Sequence, residues 1–321
     1  MILVVALNPA LDVTHRVAGV DWTGTNRPFA VHARPGGKAL NVARTLRALG
    51  RPVTVTGLTG GPTGQALIDG LAGTGIVTEL TAIAGETRRT FTVADETTGQ
   101  VALFSEPGPA VSADEFSRFA AVFYKALASS AGVVLSGSLP RQLPDDIYAE
   151  LIAVAASAGV PAILDTSGAA LAAGAAAGPT IVKPNLAELE ATTATSLRGA
   201  DGPDLAAVER ASRTLVTLGA GAAVTSLGPD GLLAVTAEGT WHARPPAPVP
   251  GNPTGAGDAV VAGLADSLVA GRAWPERLRH AVALGTATAA APVAGEFAAA
   301  DYERLIAGVH VSRCAPAGER T

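Results

Sequence analysis

Six short runs of apolar, mostly β-branched residues recur along the chain: ILVVAL (2–7), VTVTGL (53–58), GVVLSG (132–137), PAILDT (161–166), TIVKPN (180–185) and AAVTSL (222–227). Between them, apolar positions recur every three to four residues, which predicts helices over 38–49, 64–73, 114–130, 144–158, 203–218 and 256–270. Strands that are apolar on both faces are buried on both faces. The alternation therefore predicts a mostly parallel sheet covered by helices on each side, a three-layer α/β/α domain.

Two stretches depart from this pattern. Residues 11–34 contain DVTHRVAGV and RPFAVHARP, and residues 87–106 contain TRRTFTVADETTGQVALFSE, with apolar positions alternating on either side of a turn at Asp95–Gly99. Alternation of this kind marks strands with one solvated face. The two stretches are read together as a small β-sheet appendage, a lid or a dimer surface, on a single domain spanning 1–312. ARPPAPVPGNP (243–253) is a rigid loop, and the tail 313–321 is expected to be frayed and flexible.

Composition narrows the function classes. Of 321 residues, 48% are hydrophobic and 16% charged, which describes a compact folded chain. A net charge of -5 leaves no basic footprint for nucleic acid, and no Lys/Arg block follows an apolar segment as a membrane anchor would require. The start, MILVVALNPALD, has no basic leader and breaks at Asn8-Pro9, so it reads as a first core strand and the expected compartment is the cytoplasm. One cysteine, Cys314, excludes an internal disulfide, and five scattered histidines lack any zinc-binding spacing.

In a doubly wound sheet, ligands gather at the carboxyl ends of the strands. The residues just beyond the apolar runs are Asn8-Pro9 with Asp12, then Asp165, then Lys183, Asn185 and Glu188, then Ser226 to Gly231. Each alone is readily a helix cap or turn; facing one edge together, they favour a site. In GGKALNVARTLRALG (36–50), Gly36-Gly37 leave backbone N–H groups free at a helix start, and Lys38 and Asn41 share a face. The spacing is not that of a Walker A loop. PTGAGDA (253–259) is more specific, because Gly255 and Gly257 allow successive N–H groups to point into one concavity, a nest for phosphate oxygens. Asp258 follows and could take a proton from a hydroxyl attacking that phosphate. The alternative is a helix-dipole carboxylate at a surface, which the apolar continuation AVVAGLADSLVAG disfavours.

Five motifs in order, GGKALNVARTLRALG, SGSLP (136–140), KPNLAELE (183–190), SLGPDG (226–231) and NPTGAGDAVVAGL (252–264), resemble the ribokinase-like, PfkB carbohydrate kinase family over nearly the whole chain. Within it, LNPALD, the lysine of GGKALN and the TRRTF segment resemble the hexose-phosphate branch of 1-phosphofructokinases and tagatose-6-phosphate kinases. The resemblance implies ATP-dependent phosphorylation of a sugar phosphate, with fructose 1-phosphate as the first choice of acceptor and fructose 1,6-bisphosphate and ADP as products. It also implies Mg2+, leaves a monovalent cation requirement open, and implies a homodimer joined through the β lid.

By the same resemblance, Asp258 is the base and Gly255, Ala256 and Gly257 form the anion hole. Asp12, Gly37, Lys38, Asn41, Arg88 and Ser138 meet the sugar phosphate; Arg88 fits the family position better than Arg89. Lys183, Asn185, Ser226, Gly228 and Gly231 meet the nucleotide, and Glu188 helps place Mg2+ through water. The helix N-terminus is expected to lower the pKa of Asp258, so the proton would have to leave late in the transfer. Tagatose 6-phosphate, fructose 6-phosphate, or an unphosphorylated sugar or nucleoside are alternative acceptors, and a non-catalytic sugar-phosphate sensor is the alternative from another class. Asn252-Pro253 departs from the family pattern before the threonine, and the expected adenine-facing helix near 279–291 carries no distinctive motif.

Overall fold

A computed structural model describes residues 1–200, 202–249, 251, 253–291 and 295–314. The elements run β1 (Ile2–Ala6), β2 (Ala10–Val17), β3 (Ala30–Gly36), α1 (Lys38–Ala48), β4 (Val53–Thr59), α2 (Gly61–Leu71), β5 (Val77–Ala82), β6 (Arg88–Asp95), β7 (Val101–Ser105) and α3 (Ala113–Leu127). There follow β8 (Gly132–Ser136), α4 (Ile147–Ser157), β9 (Ala162–Asp165), α5 (Gly168–Ala176), β10 (Ile181–Val182), α6 (Leu186–Thr193), β11 (Arg198–Gly199), β12 (Gly202–Pro203) and α7 (Leu205–Leu218). The last elements are β13 (Ala223–Ser226), β14 (Leu232–Thr236), β15 (Gly239–Arg244), α8 (Ala256–Val269), α9 (Trp274–Ala290), α10 (Ala299–Ile306) and β16 (His310–Arg313).

The main sheet has ten strands in the order β16-β15-β14-β13-β10-β9-β8-β1-β4-β5. From β13 to β5 every pairing is parallel. From β1 the chain steps to β4 and β5 on one side, then starts again at β8 on the other. The order therefore reverses between β1 and β8, where the loops leaving the two strand ends diverge and open a crevice. Two apolar clusters cover the two faces. One packs Phe119, Phe123, Tyr148, Leu171 and Leu215 against the sheet, and the other packs Leu40, Leu46, Leu67, Leu264 and Leu278. The predicted three layers are present.

Three features extend the prediction. β14, β15 and β16 add antiparallel strands to the β13 edge. α5, a run of Ala and Gly with little apolar periodicity, packs so close to β9 that a Cβ on Gly174 would sit 2.4 Å from Leu164. The tail also starts later than expected. Arg313 pairs with Trp241, and the Cys314 N–H donates to the Thr240 carbonyl, so edge pairing orders the chain to that point. Residues 315–321 lie outside the described residues, as does Asn252.

The two aberrant stretches form one four-stranded sheet, β3-β2-β6-β7, with β2 parallel to β6 and hairpin pairings on either side. Val31, Val101 and Leu103 are exposed on it. Among the described residues no helix is long and apolar enough to cross a membrane.

Behind the sheet, Asp266 of α8 is almost fully buried. It accepts a hydrogen bond from Arg51, lies 3.4 Å from Arg272 and lies 3.2 Å from His280. Burial disfavours its charge, but His280 and Arg51 outweigh that and hold its pKa below the usual carboxylate range. Removing the carboxylate strands its cations. Asp266→Ala is expected to lower stability by about 3 kcal/mol, measured by urea unfolding at pH 7, with Arg272→Ala costing less because Arg272 is a third exposed.

Candidate active site

The ends of β1, β8 and β9 and the starts of α1, α6 and β6 surround a cavity of about 180 Å3 lined by Asn8, Gly37, Lys38, Arg88, Ser138 and Glu188, among others. It occupies the crevice where the strand order reverses. Asn8, just beyond β1, donates through Nδ2 to Ser138 Oγ at 3.0 Å, just beyond β8, and so spans the opening.

The charge behind the cavity wall is organised by Asp165, which is buried and does not itself line the cavity but contacts Ser136 and Lys38, which do. This last residue of β9 is paired in register with Ser136, whose hydroxyl donates to Oδ2 at 2.9 Å. Lys183, immediately after β10 and only 3% exposed, places Nζ 3.2 Å from Oδ1. Lys38, the first residue of α1, reaches the same oxygen at 3.4 Å and Glu188 at 3.1 Å. Burial pushes Asp165 towards its neutral form, but Lys183, Lys38 and the Ser136 hydroxyl more than offset it and keep the carboxylate ionised. Burial likewise opposes the charge on Lys38, and Asp165, Glu188 and Asp258 overcome it, raising its pKa.

At the start of α8, Gly255 has φ of 83°, a left-handed backbone that favours glycine. The Ala256 N–H is used in a turn to the Pro253 carbonyl. Among the described residues the N–H groups of Gly257 and Asp258 have no backbone acceptor. A Cβ on Gly257 would meet only Lys183 Nζ, at 3.9 Å, so a cationic amine stands beside two free donors.

Asp258 is buried and accepts a hydrogen bond from Asn41 Nδ2 at 2.8 Å. Its pKa is raised to about 7, first by burial and then by the negative charge of Asp165, against the lowering effects of Asn41, Lys38 and Lys183. The expectation of a lowered pKa is corrected. Loss of water and a second carboxylate outweigh the helix dipole, and Asp258 is a better base than its position at a helix start implies.

Asp12 lies on β2 between Arg34 of β3 and Thr90 of β6, and burial raises its pKa despite Arg34. It sits so tightly that any Cβ at Gly36 would overlap it, which explains one glycine of the pair. Arg88 faces the cavity, donating to the Asn8 carbonyl and to Ser105, whereas Arg89 turns away to Glu106. Asn185 and Glu188 form a capping box at the start of α6: the Asn185 side chain accepts from the Glu188 N–H, and Glu188 accepts from the Asn185 N–H. The Asn185 side chain is thus spent on the cap, while the second oxygen of Glu188 is spent on Lys38.

Ser226 bridges to Asn185 at the next strand end, and Gly228 and Gly231 form the tight turn that follows. These three do not line the cavity, and neither do Asp12, Asn41, Lys183, Asn185, Gly255, Ala256, Gly257 or Asp258; of the residues expected from sequence, Gly37, Lys38, Arg88, Ser138 and Glu188 do. Two residues that do matter were given no role from sequence: Asn8 and, above all, Asp165. Their only signal was their place directly after an apolar run.

Residues 4–301 match the pfkB family carbohydrate kinase profile. The chain belongs to the pfkB family of carbohydrate kinases. Family members are phosphotransferases that act on an alcohol group. This pfkB-family chain is 38% identical over 283 residues to the 1-phosphofructokinase of Rhodobacter capsulatus, covering 88% of each. Among solved structures it is similar to Escherichia coli phosphofructokinase-2. The potassium complex of that protein gives a TM-score of 0.87 at 30% identity, over 95% of this chain and 98% of the other. The complex with fructose-6-phosphate gives 0.84 at 31% identity with the same coverage. Arabidopsis thaliana ribokinase, complexed with ribose and ATP, shares the fold at a TM-score of 0.72 and 20% identity, over 95% of this chain and 98% of the other.

The raised pKa of Asp258 has a consequence for stability. The folded chain holds this proton more tightly than the unfolded chain, so the contribution is complete below about pH 4 and is lost as pH rises through about 7. Asp258→Asn keeps the shape without the charge. It is expected to stabilise the protein at pH 8 by on the order of 2 kcal/mol and to have little effect at pH 4, read from denaturant midpoints at the two pH values.

Proposed function

We propose that this chain transfers the γ-phosphoryl group of ATP to a hydroxyl of fructose 1-phosphate, giving fructose 1,6-bisphosphate and ADP. The observation that carries the reading is Asp258, a buried carboxylate with a pKa near 7, at a helix start where two N–H groups have no backbone acceptor among the described residues. Asp258 takes the hydroxyl proton as that oxygen bonds to phosphorus and the bond to ADP breaks. The N–H groups of Gly257 and Asp258, on the backbone bend made by Gly255 and Ala256, stabilise charge on the migrating group.

Arg88, Lys38 and Ser138 face the acceptor's own phosphate, with Asp12, Gly37 and Asn41 on its hydroxyls. Lys38 also neutralises Asp165 and Glu188, so donor and acceptor anions meet beside a charge-balanced wall. Lys183, Ser226, Gly228 and Gly231 serve the nucleotide, and Asn185 acts by fixing Glu188 through the cap. Among the described residues no three metal-ligating side chains converge. A divalent ion here would be held chiefly by phosphate oxygens and water, which suits Mg2+ arriving with ATP, with Glu188 as the carboxylate that would meet it through water. Bound in that way, Mg2+ neutralises charge on the phosphates.

The chain is read as one domain over 1–312 whose lid, 11–34 with 87–106, covers the sugar. Val31, Val101 and Leu103, exposed on that sheet, support pairing of two copies through it. A potassium requirement is an expectation supported by the E. coli phosphofructokinase-2 complex. Fructose 6-phosphate is the second reading for the acceptor, favoured by the complex of the same protein with that sugar. A sensor without catalysis would gain nothing from a carboxylate tuned to neutrality.

Turnover at fixed MgATP should be most efficient with fructose 1-phosphate, ahead of fructose 6-phosphate and tagatose 6-phosphate. Absence of ADP formation with all three would overturn the reading. The kcat/KM profile should fall below about pH 7 as Asp258 protonates, and Asp258→Asn should reduce turnover by on the order of 10² to 10⁴. Arg88→Ala and Lys38→Ala should each raise the sugar-phosphate KM by roughly 10- to 100-fold and spare an unphosphorylated sugar.

A further inference from the structure

A second cleft, of about 560 Å3, lies between α1, the end of α2 and the foot of the lid strand β3. Arg34, Arg44 and Arg47 line it, with Glu296 as its one carboxylate. Glu296 is 3.4 Å from Arg34. Arg44 donates to Asn41 Oδ1 at 2.9 Å and to the Pro35 carbonyl, both uncharged acceptors. Arg47 is exposed and, among the described residues, has no hydrogen-bonded or ion-paired side-chain partner. Burial, and next the charge of Arg34, hold the Arg44 pKa below the usual arginine range. Arg34 faces Glu296 and Asp12, and Arg44 is acted on by Glu296, Asp12 and Asp258, which leaves Arg47 as the guanidinium of this partly dehydrated cleft with no carboxylate beside it among the described residues, an arrangement that an added anion relieves.

Arg44 also reaches Asp258 through Asn41. A guanidinium has only donors, so Asn41 must turn its oxygen to Arg44 and its NH2 to Asp258. Arg44 therefore sets the polarity of the one hydrogen bond that lowers the Asp258 pKa.

We propose that this cleft binds a phosphate-bearing small molecule, apart from the phosphoryl-transfer cavity, and that the occupant acts on Asp258 through Arg44 and Asn41. The second half rests on Asp258 being the base; the first does not. An anion held by Arg44 and Arg47 draws Arg44 from Asn41, the amide is freed to turn, and Asp258 loses its donor. Its pKa rises, so activity falls at neutral pH and recovers in alkali.

The test is calorimetric titration of inorganic phosphate, inorganic pyrophosphate and glycerol 3-phosphate into the full chain; the tightest of the three separates a free-phosphate from a phosphate-ester source. In the Arg88→Ala protein, whose phosphoryl-transfer cavity has lost its phosphate-facing guanidinium, binding should persist, and adding Arg47→Glu, at an exposed position, should weaken it at least about tenfold. Binding absent from the Arg88→Ala protein, or unchanged when Arg47→Glu is added to it, overturns the site. At fixed free Mg2+, pyrophosphate should move the acid limb of kcat/KM up by about half a pH unit in wild type and not in Arg47→Glu. An unmoved limb with binding intact overturns the coupling. Failure of Asp258 as the base would leave the binding result standing.

Discussion

The ionised carboxylate of Asp165 is the constraint on which the site depends. It sits where water is absent, and it is tolerated because Lys183 and Lys38 arrive from two other elements and Ser136 donates to it from the neighbouring strand. A buried charge without partners would cost several kcal/mol. The register of β8 on β9, the end of β10 and the start of α1 are therefore tied to one point. The same charge raises the pKa of Asp258. Two buried carboxylates thus take opposite states at neutral pH, one held ionised and one poised to exchange a proton, because one has two ammonium groups in contact and the other has an amide.

Much of the framework can be read from the chain alone. Apolar runs such as ILVVAL and PAILDT can only be buried on both faces, and the parallel sheet follows from them. GGK and GAGD identify themselves because glycines before a helix have few other uses. The charge state of Asp258 was not legible, since it depends on dehydration and on Asp165, which is distant in sequence and near only in the fold. Asp165 itself looks in sequence like any residue ending a strand. The edge strands β14 and β15 are not marked by the strand-helix alternation because they follow β13 without an intervening helix, β16 because it returns to β15 only after α8, α9 and α10, and α5 because its Ala-Gly sequence carries almost no periodicity.

The Asn185-Glu188 spacing has two physical meanings that coexist. Four residues, Asn to Glu, make a capping box, and the cap holds Glu188 so that its remaining oxygen meets Lys38. The helix start is thereby part of the charge balance at the cavity wall. Arg44 plays a comparable double part, joining the end of β3 at Pro35 to the Asn41 amide that donates to Asp258. In both cases a local backbone requirement fixes a side chain whose far end is electrostatically useful.

The four-stranded sheet is built wholly from the first third of the chain: β2 and β3 leave β1 directly, and β6 and β7 end at Ser105. Asp165, Lys183 and Asp258 all come later. During synthesis, the sheet assigned to the acceptor under the proposed function is therefore complete in sequence well before the groups assigned to phosphoryl transfer exist. Under that proposal, a nascent or truncated chain carries the strands meant for the sugar without the residues meant for ATP.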